Sequence, residues 1–168
     1  MSISLYDVAV PGYITLLTGL ATSLDKAAAF AGEKKFAPAN LIAARLYPTM
    51  WSLGEQVRAA CSLSVRGTSR LAAIPIPTFD GGIETFDDLK AWIAWAVAHL
   101  KGLDRAAFAD AAAREIVYPA GGSERRQTGF DYLMTFSLPN VYFHLTVAYA
   151  IMRHNGVPLV KEDFLGET

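Results

Sequence analysis

Two stretches of this chain, residues 8–24 and 132–152, contain no Asp, Glu, Lys or Arg, and they restrict the fold more than any other feature. As a helix rising about 1.5 Å per residue, the second could cross a bilayer. Its middle is wrong for lipid, because Pro139, Asn140 and His144 would put polar groups in hydrocarbon, and no basic cluster flanks it to set an orientation. The first stretch lacks the positive segment of a secretory leader, since no Lys or Arg precedes Lys26. The expectation is a soluble, cytoplasmic protein with no membrane partner, in which both stretches are buried helices. One domain spanning residues 1–168 should hold them, because a chain of this length buries roughly two-thirds of its unfolded surface in a single core.

Composition narrows the function classes. A chain that is 52% hydrophobic and 18% charged is not disordered. Fifteen Lys and Arg against 16 Asp and Glu give a net charge of -1, so no nucleic-acid partner is expected: a phosphate-binding surface needs an excess of cations on one face. The single cysteine, Cys61, excludes an internal disulfide and any multi-cysteine metal site. It falls on the apolar stripe of a helix, where a buried thiol acts as a small inert hydrophobe.

Helical punctuation divides the chain. Ser4 and Asp7 have capping-box spacing before an apolar run that continues to about residue 30 and ends near Gly32, with Pro11 and Gly12 expected to bend the helix or delay its start. Pro38 opens a short segment, 38–46, and Thr49 is expected to cap the second long helix, whose stripe includes Met50, Val57, Cys61, Thr68 and Leu71. Residues 74–84, rich in Pro and Gly, read as a connection. Thr85 and Asp88 form another capping box, opening a third helix that Gly102 stops, and 104–112 predict a further short helix. Residues 115–118 and 124–128 flank Pro119-Ala-Gly-Gly122 and predict a small β-hairpin. Thr128 then caps a last long helix that Asn155-Gly156 terminates. Four long helices with short connections give an all-α four-helix bundle with a small hairpin before the last helix, and bundles build their sites from inward-pointing side chains.

On the last helix, at 100° per residue, His144 is central on the apolar face with Ser137, Val141, Ala148 and Ile151, and Asn140 lies about 40° away. On the second helix Gln56 sits at the margin of the core face, with Tyr47 and Met50 near its start. A buried imidazole without partners costs roughly 1–3 kcal/mol, so Asn140 and Gln56 are its expected partners. The cluster His144, Asn140, Gln56, Met50 and Tyr47 reads either as a hydrogen-bonded core feature or as a pocket for a small-molecule ligand or a metal. His99 and His154 occupy last turns of helices, where the dipole alone favours a cation. Arg125 and Arg126 read as a solvated pair on the hairpin. Phosphate loops, dinucleotide fingerprints, nucleophile elbows and H-E-x-x-H motifs are missing from the sequence.

The segments Arg45-Leu-Tyr-Pro-Thr-Met50, Leu138-Pro-Asn-Val-Tyr-Phe-His144, Ala148-Tyr-Ala-Ile-Met-Arg-His-Asn-Gly-Val157 and Asp163-Phe-Leu-Gly166 resemble an uncharacterised family within the DinB-like superfamily. The resemblance covers nearly the whole chain and implies an up-down-down-up four-helix bundle. It also implies a metal site: that superfamily holds metal-dependent enzymes, some of them thiol transferases, with one histidine in a W-x-L-G-H context and an H-x-x-x-H pair on the last helix. Here the matching positions read Trp51-Ser-Leu-Gly-Glu55 and His144-Leu-Thr-Val-Ala148, so one histidine of three remains. By helix phase Glu55 lies with Trp51, Arg58 and Ser62 on the face away from the core. A lone imidazole is a poor site for zinc or nickel, normally held by at least three protein ligands. Three readings follow: a bundle that binds a small ligand or partner around His144, with no cofactor; a metal-dependent transferase or hydrolase in which His144 holds zinc or nickel; and a homodimeric scaffold.

Overall fold

In the computed structural model, which describes residues 3–166, the first capping box forms as its spacing dictates. Ser4 N donates to the Asp7 carboxylate at 3.0 Å and Asp7 N donates back to Ser4 Oγ at 3.4 Å. From that cap α1 runs over Leu5–Lys34. Pro11 lies inside it and removes one backbone donor without ending it. The helix also continues past Gly32 and closes where Lys35 turns left-handed at φ 58°. α2 is short, Pro38–Ile42.

The second long helix, α3, covers Leu53–Ala72, and Ser52 caps it in place of Thr49. Ser52 N and Oγ donate to the Glu55 carboxylate at 2.7 and 2.9 Å, and Glu55 N donates to Ser52 Oγ. Thr49 has no acid three residues on, whereas Ser52 does, and that reciprocal pair sets the start. Residues 49–52 are therefore a lead-in outside the helix. α4 covers Phe86–Lys101, capped by Thr85 and Asp88.

Side-chain contacts give the directions. Lys90 of α4 meets Asp25 of α1 at 3.1 Å, while Arg105, just past α4, meets Asp7 at the start of α1, so α1 and α4 are antiparallel. Ile83 lies against Gly54 at the beginning of α3, and His99 bonds Ser69 near its end, so α3 and α4 are parallel. The last long helix, α6, Leu138–His154, runs against α3, as Gln56 meets His144 and Gly67 meets Ser137. The order is up-down-down-up. Two consecutive parallel helices oblige residues 73–85 to retrace α3 from its end to its beginning.

Before α6, a 3₁₀ turn at Arg105–Phe108 replaces the longer helix expected over 104–112. β1, Glu115–Ala120, pairs antiparallel with β2, Ser123–Thr128, from Glu115 opposite Thr128 to Ala120 opposite Ser123. The two-residue turn is Gly121-Gly122, at φ 61° and 80°, values that a primed hairpin turn requires. α5, Gly129–Tyr132, then passes through a π turn, Leu133–Ser137, into α6. The single helix expected from Thr128 onward is thus interrupted just before Pro139, which has no N–H to give and whose ring the wider turn accommodates.

α7, Lys161–Leu165, closes the chain onto α1. Buried Asp163 accepts from Lys26 Nζ at 2.5 Å and from Val160 N at 2.8 Å. By length and composition α1 could cross a membrane, but here it is the spine of the bundle, packed on α3, α4, α6 and α7. Leu17, Leu24, Val57, Leu89, Leu100 and Ile151 are fully enclosed between the long helices, as is Cys61, whose thiol burial pushes well above its ordinary range.

Glycine at 54 is dictated by the returning loop: a Cβ there would lie 2.8 Å from the Ile83 carbonyl oxygen and 3.2 Å from Ile42 Cγ2, whereas one at Gly32 meets nothing within 4 Å. Gly54→Ala should therefore lose stability by about 1–3 kcal/mol through overpacking. Gly32→Ala should gain up to about 1 kcal/mol of helix propensity. Urea midpoints of the two variants moving in the same direction would contradict this.

Candidate functional site

The two ends of the polar cluster come from different helices. Because α3 begins at Leu53, Gln56 is in its first turn and points into the bundle, only 2% exposed. His144 is mid-way along α6, on the face between Val141 and Ala148, and is 8% exposed. Antiparallel packing of α3 and α6 brings them together: His144 Nδ1 lies 2.6 Å from Gln56 Oε1. Gln56 Nε2 donates to the Trp51 carbonyl at 3.2 Å, which fixes the orientation of the amide.

That relay sets the imidazole tautomer. With its NH₂ committed to Trp51, Gln56 presents a carbonyl oxygen, so Nδ1 must carry the proton and Nε2 keeps its lone pair. Burial lowers the His144 pKa below its ordinary value, which favours the neutral ring. Among the described residues no fully enclosed side-chain nitrogen or oxygen lacks a partner. Nε2, which bonds no protein group, is therefore not fully enclosed, and the ring that carries it lines a pocket.

The pocket has a volume of about 250 Å³ and is walled by Met50, Trp51, Gln56, Phe143 and His144. Trp51 stacks on the imidazole, with centroids 5.3 Å apart and planes 14° from parallel, and Phe143 meets it edge-on at 5.3 Å. The site offers one neutral acceptor in an aromatic and thioether surround.

Three of the five residues expected here, His144, Gln56 and Met50, wall this pocket. Asn140 does not, because its amide donates to the Phe136 carbonyl at 2.6 Å, one turn back in its own helical segment. Tyr47 does not either; it is 64% exposed in the turn before Met50. Trp51 and Phe143 are the additions. Helix phase from Thr49 predicts an outward Trp51, but the residue precedes α3, and its ring stacks on His144 while also edging the outward face. The signal available was Ser52-x-x-Glu55, a better cap than Thr49.

His99 is half-buried and shares a 3.0 Å hydrogen bond with Ser69 Oγ, a packed role where exposure was expected, and burial lowers its pKa. Enclosed Ser69 has no access to a substrate.

The residues do not fit a metal of the DinB-like kind. Of the three matching positions, Ala148 has no donor atom. The Glu55 carboxylate takes two hydrogen bonds from Ser52 and lies 3.2 Å from Arg45 Nη1, and those bonds hold its pKa below the ordinary range. Among the described residues no three His, Cys, Asp or Glu side chains converge. One imidazole remains, fewer than zinc or nickel sites use.

The architecture defines the class. A solved structure, that of a DinB family member protein from Shewanella denitrificans, matches with a TM-score of 0.90 and 36% sequence identity, over 96% of this chain and 92% of that one. The chain belongs to the domain of unknown function family DUF1993, whose model matches residues 5–165. No curated protein matches it.

The depressed imidazole values make a testable contribution to stability. Below pH 6.5, the ordinary value, an unfolded chain protonates His144 and His99 before the native state does. The unfolded state then binds more protons, so stability falls as pH drops from about 6.5 toward the lowered native pKa values, and these groups add no slope above that window. His144→Asn and His99→Asn should each flatten the dependence of unfolding free energy on pH in that interval, read by urea titration. Unchanged slopes in both variants would rule out the buried neutral rings as its source.

Proposed function

We propose that this protein is a small-molecule-binding bundle whose ligand sits between Met50, Trp51, Phe143 and His144. The supporting observation is the relay from the Trp51 carbonyl through Gln56 to His144 Nδ1, which leaves one unprotonated nitrogen on a ring that lines an apolar recess. Such a recess suits a compact ligand with a flat or apolar body and one hydrogen-bond donor, a hydroxyl, thiol or N–H, directed at Nε2. It recognises that donor without a metal.

Phenol is a suitable probe, with anisole as its donorless counterpart. Phenol is expected to give saturable NMR shifts of the His144 ring and Trp51 indole, at least several-fold tighter than anisole. Gln56→Leu removes the acceptor that fixes the tautomer and should weaken phenol binding while leaving anisole unchanged. Equal affinities for the two probes would defeat the proposal.

A second reading, self-association, is favoured by the exposure of Tyr47, Trp51 and Phe143, at 64%, 48% and 53%. Trp51 and Phe143, which wall one recess, give an exposed aromatic face that a second copy can cover. Sedimentation equilibrium should then show a concentration-dependent dimer that Phe143→Ser weakens. A monomer throughout the micromolar range would eliminate this reading.

A further inference from the structure

The loop that retraces α3 leaves a cleft on the helix's outward face, separate from the His144 pocket. Arg58, Ser62 and Arg66 are spaced four residues apart, so each lies about 40° around and about 6 Å along from the last, and all three line this cleft. The opposite wall is aromatic. Phe79 of the loop stacks on Trp95 at 5.5 Å and meets Trp92 edge-on at 4.9 Å. Trp92 Nε1 donates to the Gly81 and Gly82 carbonyls at 3.3 and 3.1 Å, which fastens the loop in place. The open cleft has a volume of about 390 Å³, within the range of small-molecule sites. Trp51 stands at the edge of this cleft as well as in the pocket of His144.

The arginines distinguish this cleft from a packing defect. Arg45, Arg70, Arg105, Arg114, Arg126 and Arg153 each donate to a carboxylate, carbonyl or hydroxyl of the protein. Among the described residues, Arg58, Arg66 and the hairpin's Arg125 make no such bond; Arg58 and Arg66 both line this cleft, and no carboxylate lies within ion-pair distance of either. Asp80 also lines the cleft and is exposed. The groups lining the cleft, two guanidiniums and one carboxylate, sum to about +1; Glu55, which also feels the charge of Arg58, is held by Ser52 and Arg45 outside the lining, and the balance matches a monoanion better than a phosphate dianion.

We propose that the cleft between α3 and the 73–85 loop binds a small carboxylate with an aromatic or bulky apolar body, its carboxylate on Arg58 and Arg66 and its body against Phe79 and Trp92. Planar guanidinium forks fit a carboxylate in two-point contact, and the aromatic wall supplies the apolar burial.

The test titrates the full chain with 3-phenylpropionate, following the three tryptophan indole N–H signals by NMR. Saturable shifts at Trp51 and Trp92 are expected, with affinity at least tenfold above that of neutral 3-phenylpropionamide. Arg58→Gln and Arg66→Gln should each weaken binding fivefold or more, Arg66→Lys less, and Arg125→Gln, on the exposed hairpin, not at all. Far-UV circular dichroism and thermal midpoints verify that the variants fold; both arginines are exposed on the helix surface. The absence of saturable shifts overturns the proposal, as does equal binding of the amide. Binding that survives both glutamine substitutions places the ligand elsewhere and also overturns it, and tighter binding of phenyl phosphate refutes the carboxylate assignment.

Discussion

Parallel packing of two consecutive helices is the constraint from which the rest of this structure follows. α3 and α4 point the same way, so the intervening chain must climb back along a helix roughly 27 Å long from Gly54 to Ala72. Residues 73–85 could reach about 40 Å if fully extended. The slack lets Phe79 turn inward onto Trp92 and Trp95 while Trp92 holds two loop carbonyls. The loop's far end presses on the first turn of α3, which explains both the glycine at 54 and the close seating of Ile83. A strap lying along a helix leaves space beside it wherever the helix carries long polar side chains, and Arg58, Ser62 and Arg66 occupy that line.

The same first turn of α3 also holds the interior polar relay. Gln56 is enclosed there because the cap at Ser52 and Glu55 fixes the helical phase, and its amide must satisfy both ends. Leaving either end bare would cost on the order of 1–3 kcal/mol. The donor end finds a carbonyl that is outside the helix and so has no intrahelical partner to lose; the acceptor end finds an imidazole. A core of hydrocarbon alone would cover this point with less electrostatic cost. What the polar relay provides instead is a defined direction for one lone pair, and an aromatic stack that keeps the ring in that orientation.

Much of this was legible in the sequence, for identifiable reasons. Reciprocal caps at Ser4 with Asp7 and at Thr85 with Asp88 are local interactions, and a reader of spacing finds them. The di-glycine turn is equally local. His144 and Gln56 could be placed because an inward imidazole demands a partner on a facing helix. Legibility failed where a longer-range effect decides between local options. Trp51 precedes the helix, so helix phase places it beside Arg58 and Ser62 but does not show that its ring also stacks on His144 from α6. Asn140 was near His144 by helix phase, but its amide reaches its own backbone four residues earlier, in a segment where the π turn and Pro139 have already altered the ladder. Arg58 and Arg66 were visible as residues; their cleft was not, since only the course of the returning loop creates it.

Position 55 shows how a capping residue can commit a helix start to structure. It is the third residue of α3, where a carboxylate completes the cap, faces the positive end of the helix dipole and lies near Arg45. A histidine there could not close the reciprocal pair with Ser52 in the same way. Glutamate thus assigns the position to starting the helix, and the side chain is occupied by bonds within its own turn. With no donor at Ala148, nothing else competes for the imidazole, and Gln56 from the next position along α3 engages its Nδ1. In this chain the helix start that resembles a metal-ligand motif serves to place Gln56 and Trp51 around a single neutral ring.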